Sequence, residues 1–67
     1  MQLRLTRILL MAAQRAAERE LKIALAQRVV GDLESRQRIE SAQQALAAVR
    51  KDLQMVEARI AAESERG

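Results

Sequence analysis

The chain has 67 residues and a formal charge of +3, with no proline, cysteine, histidine or aromatic side chain. That length holds one small domain at most, and that composition excludes a disulfide and a zinc or haem site. Alanine, arginine, glutamate, glutamine and leucine dominate, as in a long helix or coiled coil, and a chain this short needs a partner to cover its apolar surface.

The first predicted element is a helix over residues 3–30. Its best seam is Leu5, Leu9, Ala12, Ala16, Arg19, Ile23, Ala26 and Val30, at alternating spacings of 4 and 3, which places them on one side of an α-helix. Leu10, Ala13, Ala17, Leu21, Ala24 and Leu25 add apolar surface beside that seam. A helix apolar over more than one stripe is expected to touch more than one neighbour. The longest apolar run, Ile8 to Ala13, is far shorter than the ~18 residues of a membrane span. Residues 1–17 hold three arginines and no acid, which also fits a transit peptide or a short signal sequence. Residues 3–17 fit an amphipathic helix lying on an anionic membrane surface as well. The plainer reading of both is the start of the first helix.

A turn follows at Gly31-Asp32. Glycine readily adopts the left-handed conformation that ends a helix. Aspartate caps the next one by accepting its free amide hydrogens. The stripe of the first helix and that of the second are out of phase across residues 31–38, so one straight seam cannot run through both. A single helix that tolerates Gly31 is the alternative, with a register shift as its stutter.

The second helix is predicted over residues 33–64. Ile39, Ala42, Leu46, Val49, Leu53, Val56 and Ile60 form an unbroken 3-4 seam. Helices joined by so short a turn lie antiparallel, so the expected fold is an all-α helical hairpin over residues 1–67. Leu5, Leu9, Ile23 and Val30 are expected to face Ile39, Leu46, Val49, Leu53, Val56 and Ile60, and together they form the predicted association seam. Beside the second seam, Ala47, Ala48, Gln54, Met55, Ala61 and Ala62 are small or uncharged. Two hairpins docked as a four-helix bundle would use that surface. On the predicted wet faces, Glu18–Lys22, Glu34–Arg38, Arg36–Glu40 and Arg59–Glu63 are spaced to pair along a helix.

The residues of catalysis are missing. Thr6, Ser35, Ser41 and Ser64 have no histidine to activate them, and the carboxylates lie on the predicted solvent face. The chain also has no glycine-rich phosphate loop. No enzyme activity, cofactor, metal or small-molecule substrate is expected, and the absence of cysteine fits the cytoplasm. Charge is uneven: residues 1–30 hold six basic groups against two acidic, and residues 31–67 six against seven. Arg15, Arg19 and Lys22 share one helical face and are candidate phosphate contacts. A nucleic-acid-binding hairpin dimer, like the Rop regulators in architecture, is therefore an alternative function. There are no aromatic platforms for unstacked bases. A designed helical bundle without biological activity would read the same way.

The opening RLTRILLMAAQRAAERELKIALAQ, residues 4–27, resembles the start of the flagellar and type III secretion export-stalk proteins, through Arg4-Leu5-Thr6-Arg7-Ile8-Leu9 and the charged, alanine-rich helix behind it. The resemblance implies an antiparallel coiled-coil hairpin working beside an export ATPase, its chaperones or the export gate. It makes Arg4, Leu5, Arg7, Ile8 and Leu9 a docking segment. The primary expectation is non-catalytic: a scaffold, adaptor or chaperone-like protein that associates with itself, as a dimer of hairpins, or with partner helices.

Overall fold

The computed structural model describes residues 3–66; residues 1, 2 and 67 lie outside the described range. Two helices, α1 (Leu3–Ala26) and α2 (Leu33–Arg66), pack against each other as a hairpin. At 1.5 Å per residue their 24 and 34 residues span about 36 and 51 Å. The molecule measures 54 × 14 × 14 Å, a rod two helices thick. Its radius of gyration is 15.7 Å, against about 11 Å for a globular domain of this length.

The connection is longer than the sequence suggests. Helix α1 stops at Ala26 rather than residue 30, and residues 27–32 make the crossing. Antiparallel helix axes lie about 8–10 Å apart, and residues 27–32 bridge that step. The Gln27 amide still donates to the Ile23 carbonyl at 3.0 Å, and the Arg28 amide tightens onto the Leu25 carbonyl at 3.3 Å. No acid sits in the first turn of α1 and no base in its last, so neither end is helped by its dipole. Beyond it come Val29 and Val30, whose branched side chains favour extended backbone.

Gly31 has the expected left-handed backbone, φ +83°, but it does not cap α1. It is the third residue of a turn closed by the Asp32 amide donating to the Val29 carbonyl at 3.1 Å. A positive φ at that place is the mark of a type II turn. Asp32 then starts α2. Its Oδ2 accepts from the Ser35 amide at 3.1 Å and the Ser35 hydroxyl at 3.0 Å, and its carbonyl accepts from the Arg36 amide at 3.2 Å. The Ser35 Oγ in turn accepts from the Val29 amide at 3.3 Å. One aspartate and one serine thus satisfy donors on both sides of the crossing.

The core is small. Leu3, Ala24 and Leu46 are the buried apolar residues among those described, at 6%, 4% and 5% exposure. In α2 the stripe of Ile39, Ala42, Leu46, Val49, Leu53, Val56 and Ile60 is turned toward α1, with Leu46 buried and the others half-buried. In α1 the facing residues are Leu3, Leu10, Gln14, Ala17, Leu21 and Ala24, with Met11 half-buried beside them. The expected facing set is corrected here: Leu5, Leu9, Ile23 and Val30 are 51%, 62%, 48% and 86% exposed.

Both stripes of α1 keep a 3-4 rhythm, so periodicity alone does not choose between them. Chemistry does. Arg7 lies opposite Glu57 and Gln27 opposite Arg38, and this register sets Arg19 level with Leu46. Turning the Leu5–Leu9–Ile23 stripe inward would press the Arg19 guanidinium against the middle of the apolar seam, at a desolvation cost. The observed face offers Ala17, Leu21 and Ala24 there, which lets the helices close up.

Candidate association surface

Helix α1 carries a second apolar stripe on its outer side. Leu5, Ile8, Leu9, Ala12, Ala16 and Ile23 are all exposed. At 3.6 residues per turn their centre lies roughly 150° round the helix from the face that meets α2. Scattered exposed leucines are ordinary, but a contiguous apolar strip on one face marks an interaction surface. The outer side of α2 is more mixed: Gln37, Glu40, Gln44 and Lys51 are exposed there beside the large apolar residues Leu33 and Met55. The outer side of α1 is therefore the more apolar long side of the rod.

Surface area measures what this leaves uncovered. The chain exposes 5638 Å², whereas a folded monomer of 7.5 kDa exposes about 4,200 Å². The excess, about 1,400 Å², follows from folding a rod with one internal contact.

The expected docking segment begins this strip. Leu5, Ile8 and Leu9 are exposed on it, and Arg4 is exposed as well. Arg7 is turned aside: its Nε lies 3.6 Å from Glu57 Oε1, with both side chains about half exposed (48% and 50%). Such a pair fixes register more than it stabilises. Arg15, Arg19 and Lys22 are exposed and make no ion pair among the described residues. Arg15 and Lys22 border the apolar strip along one edge, and Arg19 interrupts it between Ala16 and Ile23. The four charge pairs expected along the helices do not close, since their long side chains stay in water.

A second apolar patch lies at the hairpin tip, where Val29, Val30 and Leu33 are exposed. Sequence reasoning placed Val30 on the helical seam; the early end of α1 puts it in the crossing instead. The signal was present, since two adjacent valines before a Gly-Asp pair favour extended backbone over a helix end.

Among the described residues, no group of three or more His, Cys, Asp or Glu side chains could hold a metal ion. No helix among them is long and apolar enough to cross a membrane. No family model matches the chain, and no curated protein or solved structure matches it.

Proposed function

We propose that this chain is a non-catalytic helix-to-helix association module, a scaffold or adaptor whose working surface is the outer face of α1. The observation that carries the reading is the exposure of Leu5, Ile8, Leu9 and Ile23 on a helix whose opposite face is already occupied by α2. Apolar strips of this length are stable in water when another helix covers them. The resemblance of residues 4–27 to export-stalk proteins would make that partner part of a secretion apparatus, with Arg4, Leu5, Ile8 and Leu9 at the contact.

Concentration-dependent melting tests the reading. Covering the strip stabilises the fold by mass action, so the Tm rises with protein concentration or with added partner. Leu9→Asp should abolish that rise while the dilute protein stays helical, because Leu9 takes no part in the α1–α2 contact. An unchanged concentration dependence in Leu9→Asp would remove this face from consideration. An anionic partner is the second reading, favoured by the unpaired, exposed Arg15, Arg19 and Lys22. Its affinity would fall steeply with salt.

A further inference from the structure

We infer that the occupant of the outer face of α1 is an acidic amphipathic helix of another protein, one that carries carboxylates along a single edge of its apolar stripe. This rests on the association reading above and names the chemistry of the partner.

The charge beside the strip selects it. At about 100° per residue, Leu5, Ala12, Ala16 and Ile23 mark the middle of the strip. Arg19 lies about 40° to one side of that line, Arg15 about 80° and Lys22 about 100°. The three follow at spacings of 4 and 3 and rise over about 10 Å, so three cations line one edge. Each is exposed, and none closes an ion pair within the hairpin among the described residues. Glu18 stands further round, past Lys22, and does not pair with it. Glu20 holds the other edge, about 60° from the middle on the opposite side. The strip is thus basic on one flank and acidic on the other. In paired helices, charges at such flanking positions set the choice of partner and its direction. Helix α2 is balanced, six bases against six acids, so the positive charge of the molecule belongs to the helix that carries the strip.

Arg19 suits a partner of this kind. A wholly apolar helix would cover its guanidinium unpaired, at a desolvation cost. A carboxylate on the partner's edge takes the guanidinium as a charge-assisted pair, while the aliphatic stem of Arg19 packs on the strip. Other occupants match less of this surface. A second copy offers five bases against two acids on its own α1, so like charge weakens that pairing. An anionic lipid surface would press Glu20 against its headgroups. RNA makes no use of the apolar strip and finds no aromatic side chain to stack on.

Two designed helical peptides of the length of α1 test this. Both carry a leucine-alanine stripe and one tryptophan. One has glutamate along a single edge of the stripe, and the other has lysine at the same positions. The chain has no tryptophan or tyrosine, so the fluorescence reports the peptide alone. Titrations are run at a concentration where the chain by itself is monomeric. The glutamate peptide should bind about tenfold tighter than the lysine peptide, and the advantage should shrink as salt rises. Arg15→Glu/Lys22→Glu changes two exposed positions; it should reverse the order of the two peptides, with the helical circular dichroism unchanged. Equal binding of the two peptides, or an order that the double variant leaves as it was, overturns the inference. If Leu9→Asp then abolishes binding of both, the association reading stands and only the acidic partner fails. Binding of neither peptide also overturns the inference, and the concentration-dependent melts above decide the association reading separately. Binding to phosphatidylglycerol vesicles or single-stranded RNA that the glutamate peptide does not displace overturns it in favour of that occupant.

Discussion

Leu46→Ala is the sharpest probe of the hairpin itself. Leu46 is the one buried residue of the α2 stripe, and it sits level with Arg19, in the second half of α1. The substitution removes three carbons, worth about 2.4 kcal/mol at about 0.8 kcal/mol per buried carbon. A cavity term adds little, because a rod two helices thick can close over the gap or admit water. The expected loss is therefore about 2.5 kcal/mol. A chain of this length holds a total of roughly 3–10 kcal/mol, so the variant should be largely unfolded at modest urea. Leu53→Ala should cost less, since Leu53 is only half-buried. The assay is urea denaturation followed by circular dichroism, at one fixed protein concentration so that association does not enter the difference. A loss below about 1 kcal/mol at Leu46, or a larger loss at Leu53 than at Leu46, would refute the assignment of the core.

Asp32→Ala removes the acceptor for both the Ser35 amide and the Ser35 hydroxyl; a loss of about 1 kcal/mol is expected, with Asp32→Asn retaining most of the stability in the same melts. Gly31→Ala should cost about 1 kcal/mol through its φ of +83° alone, because an added Cβ meets nothing within 4 Å. D-alanine at position 31, placed by chemical synthesis, should be neutral or stabilising, and a matching loss with D-alanine would argue for a steric cause instead. Removing Arg7, Glu57 or both should show a coupling under about 1 kcal/mol in a double-mutant cycle, since the pair is half exposed.

Much of this fold could be read from single residues. Asp32 announced the start of α2 because a carboxylate before a helical run has few other uses. The α2 stripe was readable because, outside it, only Leu33 and Met55 are large and apolar in that helix, too few to make a competing seam. Gly31 announced a left-handed residue but not its place in the crossing. That depended on where α1 ends, at Ala26, four residues before the expected end. The facing side of α1 was hidden for a different reason. Leu5, Leu9 and Ile23 are bulkier than Ala17 and Ala24, so volume favours the wrong side. What excludes it is Arg19, a cost that appears only once the opposite helix is in register. The same ambiguity is what leaves α1 with a free face, and a helix apolar on two sides has two contacts to make.

The account depends on that outer face being covered by another molecule. Sedimentation equilibrium of the wild-type chain across a dilution series tests this most directly. The account predicts a mass that climbs from one 7.5 kDa chain toward twice that value as concentration rises. A single 7.5 kDa species, fully helical up to the highest concentration, would contradict it.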